Sequence, residues 1–163
     1  MGVPDLVISG INRGANLGTD LLFSGTAAGA RQGALSKIPS IALSMLEGLV
    51  WNWETAVIFV VEHLEEMLSY WKPDTFLNVN IPNQREVPSE LVHAFPSLRY
   101  YNDNLDIYTA PDGLRYCFCK TGETSAKPEK GSDWEVAKGN KVSISDIYIH
   151  PVLFDSVKEK GEG

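Results

Sequence analysis

The chain has 163 residues, of which 44% are hydrophobic, and this is enough to bury the core of one sizeable domain. Its formal net charge is −7, and no stretch concentrates Lys and Arg. We therefore exclude DNA, RNA and anionic membranes as partners, and the apolar runs are too short to predict a membrane span.

The first predicted elements are a strand and a long polar loop. Leu6 to Ile8 is a short apolar run, typical of a strand buried on both faces, and Ser9 and Gly10 are predicted to end it. From Gly10 to Gly25 the residues are mostly glycines and small side chains that carry oxygen. About fifteen residues of irregular chain inside a compact α/β unit indicate a functional loop.

A helix and a second strand follow. Ser24 to Thr26 is predicted to cap the helix, whose first N–H groups and dipole would attract a phosphate or carboxylate. Gly29 and Gly33 lie four positions apart, so the helix can pack tightly on the sheet. Ser40 to Ser44 is the second strand, and Asn12 and the helix start would meet at the carboxyl edge of the sheet. A capped helix in an ordinary βαβ unit is the alternative interpretation, since Ser is a common N-cap.

The rest of the chain is predicted to hold one more helix and several strands. Apolar residues at helical spacing predict a helix over residues 53–71, and an alternating segment predicts a strand over 76–81. A Pro-Asp-Gly turn predicts a β-hairpin over 106–120. A polar loop over 121–131 and a closing strand over 142–149 follow, and no further long helix is expected.

The two cysteines, Cys117 and Cys119, fall in one strand of the predicted hairpin. Neighbours on one face of a strand rarely form a good disulfide, and two cysteines do not make a zinc set. We therefore expect reduced thiols and a cytoplasmic protein.

The first 44 residues resemble the signature block of the SurE family, the survival-protein phosphatases that act as metal-dependent 5′/3′-nucleotidases and acid phosphatases. The matching block is PDLVISGINRGANLGTDLLFSGTAAGARQGALSKIPSIALS. Two later segments, LNVNIP and GSDWEVAKGNKVSIS, resemble the family in the same order. The resemblance implies a three-layer, Rossmann-like α/β fold with a mostly parallel sheet and a C-terminal β-hairpin extension.

The resemblance also implies a site. Asn12 matches a ligand of the catalytic divalent metal, for which oxygen donors favour Mg²⁺ or Mn²⁺. Ser24, Gly25 and Thr26 match the turn that contacts the substrate phosphate, with Ser24 placing it for catalysis, and Asn16 would line the same pocket. The implied substrate is a nucleoside monophosphate, and the implied assembly is a homodimer or homotetramer.

The chain departs from the family at its start. SurE proteins begin with a strand that ends in Asp-Asp-Gly, whose carboxylates hold the metal, and no Asp-Asp dipeptide occurs in these 163 residues. We expect residues 1–163 to form one SurE-like domain that lacks the N-terminal part of the family fold and binds metal poorly.

Three hypotheses remain at this point. In the first, the chain belongs to a metal-dependent phosphomonoesterase. In the second, it is an inactive truncated homologue that only binds phosphate or nucleotide, or only assembles with partners. In the third, it is an unrelated α/β module that binds another anion. Little or no turnover is expected of the chain by itself.

Overall fold

The structure, a computed structural model, describes residues 2–127 and 129–151. A 3-10 helix occupies Gly18–Leu22. In chain order the other elements of these residues are β1 (Val7–Arg13), α1 (Gly25–Leu35), β2 (Ser40–Met45), α2 (Trp53–Glu62), α3 (Leu64–Ser69), β3 (Thr75–Ile81), β4 (Leu91–His93), β5 (Arg99–Tyr101), β6 (Asn104–Thr109), β7 (Arg115–Lys120), β8 (Thr124–Ala126), α4 (Asp133–Lys138) and β9 (Val142–Tyr148).

The central sheet has the strand order β1-β2-β3-β9-β4. The pairs β1/β2, β2/β3 and β4/β9 are parallel, and β9 runs antiparallel to β3. Two small antiparallel units, β5/β8 and the β6/β7 hairpin, lie outside this sheet. The predicted α/β class, the mostly parallel sheet and the hairpin extension are therefore confirmed.

Helices cover both faces of the sheet, which makes three layers. Ala42 of β2 packs against the alanines of α1. Its neighbours Ile41 and Leu43 pack on the opposite face, against Phe59 of α2 and Met67 of α3. Successive residues of a strand point to opposite faces, so the two helix layers sandwich β2.

The close contact of α1 with the sheet depends on two glycines, as predicted. A Cβ on Gly29 would lie 2.6 Å from Ser9 Oγ, and one on Gly33 would lie 2.9 Å from Val7 Cβ. Both distances are shorter than ordinary contacts, and at Gly33 the neighbouring Cβ of Val7 cannot rotate away, so glycine is required there.

The prediction for the first strand was wrong in two respects. β1 does not end at Gly10 but continues to Arg13, with a register shift between Ser9 and Asn12. Gly10 has φ +120°, a value that glycine adopts readily, so the irregularity is absorbed and pairing resumes. The strand is also only half-buried, with Ile8 45% exposed, because it lies at the edge of the sheet that the structure describes.

Three other elements differ from prediction. The expected helix over 53–71 is divided at His63, which stacks on Phe59 at 4.1 Å and has non-helical ψ. β3 is buried throughout rather than alternating, because helices cover both its faces. The expected loop over 121–131 contains β8, and the short helix α4 follows it.

Candidate functional site

The end of β1 and the start of α1 meet at the carboxyl edge of the sheet. Asn12 pairs with Ser44 of β2, and the Asn12 side chain donates to the Gly14 carbonyl at 2.9 Å. Thr26 Oγ1 donates to Asn12 Oδ1 at 3.3 Å. The structure thus brings together two of the positions that the sequence places at one site, although they are fourteen residues apart.

The start of α1 is capped and open. Ser24 has extended backbone angles, and its Oγ accepts the Ala27 N–H at 3.0 Å. Gly25 is exposed, and a Cβ built on it would meet no heavy atom within 4 Å among the described residues. The first N–H groups of a helix have no intrahelical partner, so those of Gly25 and Thr26 can bind an anion that approaches through this opening.

Asn16 anchors the loop between these elements to the sheet. It is 7% exposed. Its backbone N–H donates to Asn80 Oδ1 at 2.8 Å, and its side chain donates to Ser44 Oγ at 2.7 Å. The Asn16 carbonyl accepts from the side chains of Asn78 and Asn80. The two strand asparagines are therefore structural amides, and a contact between Asn16 and phosphate stays a prediction.

Asp133 is a buried residue that sequence reasoning missed, and it joins two segments that adjoin the site. Its carboxylate accepts the N–H of Gly18 at 2.7 Å and that of Ser97 at 2.9 Å. Ser132 caps the same short helix, and the Glu135 carboxylate accepts the N–H of Gly131, one residue before the cap. The S-x-x-E sequence is typical of a helix start, and it was the available sequence signal for a helix here.

Asp20 is engaged in an ion pair beside the site. Its carboxylate accepts from Arg99 Nη1 at 2.7 Å, from the Leu17 N–H at 3.0 Å and from the Tyr101 hydroxyl. The Arg99 guanidinium in turn lies 4.7 Å from the ring centroid of Trp134. Burial, followed by the hydrogen bond to Asp20, raises the pKa of Tyr101 to about 12.

A cleft of about 610 Å³ adjoins this group. Its lining includes Leu17, Tyr101 and, from the segment after β2, Glu47. Glu47 Oε1 would lie 3.7 Å from a Cβ on Gly14, the residue whose carbonyl accepts the Asn12 side chain. The cleft is therefore a neighbour of Asn12 at the same edge of the sheet.

The described residues do not form a divalent metal site by themselves. Asn12 offers one neutral oxygen, whereas Mg²⁺ and Mn²⁺ sites rely on carboxylates. Both oxygens of Asp20 already accept hydrogen bonds. Within residues 2–127 and 129–151 no three His, Cys, Asp or Glu side chains group closely enough to hold a metal ion.

Comparison with known families gives a match over most of the chain. The family model of the Survival protein SurE matches residues 1–101. The chain belongs to the SurE family. This confirms the resemblance carried by the signature block and excludes an unrelated α/β module.

Curated relatives and a solved structure agree with the family. This SurE chain is 36% identical over 151 residues to the 5′-nucleotidase SurE of Thermosipho africanus, and the match covers 90% of this chain and 58% of that protein. It is 38% identical over 168 residues to the 5′-nucleotidase SurE of Kosmotoga olearia, with 98% and 65% covered. The crystal structure of the SurE protein from Aquifex aeolicus has a TM-score of 0.78 at 32% identity, with 97% and 64% covered.

This SurE chain therefore spans between 58% and 65% of the length of these relatives. In the part of the chain that the structure describes, no helix has the length and apolar character needed to cross a membrane.

Proposed function

We propose that this chain acts in a metal-dependent phosphomonoesterase that hydrolyses nucleoside 5′- and 3′-monophosphates. The observation that carries the proposal is the contact of Thr26 with Asn12 at the open, capped start of α1. Relatives that bear the name 5′-nucleotidase SurE support the same assignment.

The substrate phosphate would lie at the first turn of α1. The N–H groups of Gly25 and Thr26 donate to its oxygens, and the positive end of the helix dipole favours its charge. Ser24 shapes this turn through its bond to Ala27, so the donors are in place before the substrate arrives. Donors fixed in this way stabilise the charge on the phosphoryl oxygens in the transition state.

The proposed cofactor is Mg²⁺ or Mn²⁺, which would supply a Lewis acid at the phosphate. Asn12 Oδ1 would be one of its ligands. The carboxylates that such an ion requires are not grouped among the described residues, so the chemistry assigned to this chain is confined to holding and orienting the phosphate.

We also propose a cytoplasmic homodimer or homotetramer. The β6/β7 hairpin exposes apolar side chains on its strands, including Leu105, Ile107 and Phe118, and these can be buried between subunits. Cys117 and Cys119 are exposed thiols, which suit a reducing compartment.

Titration with inorganic phosphate, followed by calorimetry, tests the phosphate turn. We expect Thr26→Val to weaken phosphate binding about fivefold, because it removes the hydrogen bond, worth about 1 kcal/mol, by which the Thr26 hydroxyl holds the turn against Asn12 Oδ1. Thr55→Val is the matched control, since among the described residues the Thr55 hydroxyl bonds only to the backbone carbonyls of Asn52 and Gln84, away from the phosphate turn. Equal affinities of both variants and the unchanged protein would contradict the proposal.

A second pair of variants tests the role of the cap. Ser24 and Ser132 each accept an N–H at the start of a helix, so Ser24→Ala and Ser132→Ala remove the same kind of bond. Only Ser24→Ala is expected to weaken phosphate binding. Equal weakening in both would show a general loss of stability rather than a loss of the site.

Release of phosphate from 5′-AMP and 3′-AMP in the presence of Mn²⁺ tests the activity itself. Little or no turnover is expected of this chain, because the described residues do not group the carboxylates that the metal requires. Turnover that disappears in Asn12→Ala would contradict this expectation and show that another acidic ligand completes the metal site.

A further inference from the structure

The two cysteines of the chain lie side by side on one face of the β6/β7 hairpin. Cys117 and Cys119 are two positions apart in β7, so their side chains point the same way. Both thiols are free and exposed. The residues directly opposite them in β6 are apolar, with Ile107 paired to Cys117 and Leu105 paired to Cys119. The two thiols are therefore neighbours on an apolar and accessible face.

The spacing of the two thiols does not suit a disulfide between them. Two residues advance a strand by about 6.7 Å, and side chains that point the same way keep their Cβ atoms about that far apart. A disulfide needs Cβ atoms about 4 Å apart. Cys117 and Cys119 thus cannot bond to each other without distorting β7, and they stay available as two separate sulfur ligands.

An ion that bridges the two sulfurs fits the same spacing. Two thiolate–metal bonds of about 2.3 Å in line set the sulfurs about 4.6 Å apart, and the side chains reach this separation by leaning towards each other. Zn²⁺ requires four ligands, and among residues 2–127 and 129–151 no third His, Cys, Asp or Glu joins the pair. Cu⁺ is soft, prefers thiolates and is satisfied by two of them in line. The donor set therefore selects Cu⁺ over Zn²⁺.

We propose that Cys117 and Cys119 form a binding site for one Cu⁺ ion. Two S–H groups and Cu⁺ give a bis-thiolate complex of charge −1 and two released protons. Arg115 lies on the same face of β7, two positions before Cys117, and its positive charge favours this complex. Leu105 and Ile107 flank the thiols with apolar side chains, which suit a soft ion that needs no water ligand. The site shares no residue with the phosphate turn.

Titration of the full chain with Cu⁺ under anaerobic conditions, in competition with the chelator bathocuproine disulfonate, tests the site. We expect the chain to withdraw one Cu⁺ from the chelator and to gain thiolate-to-copper absorption in the ultraviolet. Cys117→Ser and Cys119→Ser are each expected to lose this competition. Since both positions are exposed, thermal unfolding is expected to be unchanged in the two variants. Copper that either Ser variant retains as tightly as the unchanged chain would overturn the proposal.

A relocated thiol provides the matched control. Phe118 lies between the two cysteines, and its side chain points to the opposite face of β7. Phe118→Cys combined with Cys119→Ser therefore keeps two thiols but places them on opposite faces. We expect this double variant to lose Cu⁺ to the chelator, as the single Ser variants do. If it competes as well as the unchanged chain, any two thiols suffice and the same-face site is wrong.

The number of ions per chain distinguishes this site from a bridge between chains. One Cu⁺ per chain, with an unchanged sedimentation profile, supports the site within β7. One Cu⁺ for two chains, with a shift towards larger species, would place the ion between copies and overturn the proposal. Phosphate binding is expected to be the same in both Ser variants, so the copper site and the phosphate turn are tested separately.

Discussion

At the scale of single residues, Asp133 shows how one carboxylate shapes a site that it does not touch. It is fully buried and joins the loop after β1 to the segment before β5 through the N–H groups of Gly18 and Ser97. The first segment carries Asn16, and the second leads directly into Arg99 of β5. Because 115 positions separate Gly18 from Asp133, no local sequence pattern could predict the contact.

Asp133→Ala is expected to lower the free energy of unfolding by about 3 kcal/mol, because it leaves two buried N–H groups without their charged acceptor. Urea unfolding measures this loss. Asp103→Ala is the control, since Asp103 accepts one exposed N–H from Gly122. A similar loss of unfolding free energy in both variants would show that the two buried hydrogen bonds of Asp133 do not stabilise the fold more than an exposed one does.

Tyr101 gives a prediction about pH. Its pKa is raised from 10.0 to about 12 by burial and by the hydrogen bond to Asp20, so folding favours the neutral phenol. The preference of the folded state for the neutral Tyr101 phenol contributes stability below pH 10, and this contribution is lost as the pH rises towards 12.

Absorbance at high pH follows tyrosine ionisation and checks this directly. We expect a late step near pH 12 that disappears in Tyr101→Phe and persists in Tyr108→Phe. A late step that persists in Tyr101→Phe would contradict the hydrogen bond between Tyr101 and Asp20.

At the scale of elements, α1 could be predicted from the sequence because its signals are local. The N-cap Ser24, a run rich in alanine and two glycines on one face are all visible without the fold. The break of the next helix at His63 was not predictable in the same way. It depends on packing of the histidine ring against Phe59 rather than on Gly or Pro.

Gly33→Ala is expected to destabilise the protein by about 2 kcal/mol, because the added Cβ would overlap Val7 and push α1 off the sheet. Gly25→Ala is the control on the same helix, where a Cβ meets open space among the described residues. Thermal unfolding distinguishes them. If the melting temperature falls equally in both variants, the tight packing at Gly33 is not what holds α1 in place.

At the scale of the whole molecule, the resemblance to the SurE family, carried by motifs in the same order along the chain, implied the mostly parallel sheet and its helix layers, and the structure confirms both. The connections that complete the site were not predictable, because they join the first 30 residues to β5 and α4. The proposed phosphate turn is local, whereas the cleft beside the Asp20 and Arg99 pair forms only when distant segments meet. The sequence therefore predicted the turn and did not predict the cleft.

The exposed hairpin leads to a prediction about assembly. If the hairpin joins subunits, Ile107→Glu is expected to shift the sedimentation profile towards smaller species, because a charge is costly in a buried interface. Val57→Glu on α2 is the control, since the exposures of Val57 and Ile107 are 49% and 48%. A wild-type chain that sediments as a monomer would contradict the proposed assembly.

A crystal structure of the chain with bound 5′-AMP shows directly whether the phosphate turn exists. We expect the phosphate at the start of α1, within hydrogen-bond distance of the N–H groups of Gly25 and Thr26 and beside Asn12. A structure in which the phosphate binds elsewhere and the turn at Ser24 stays empty would contradict it.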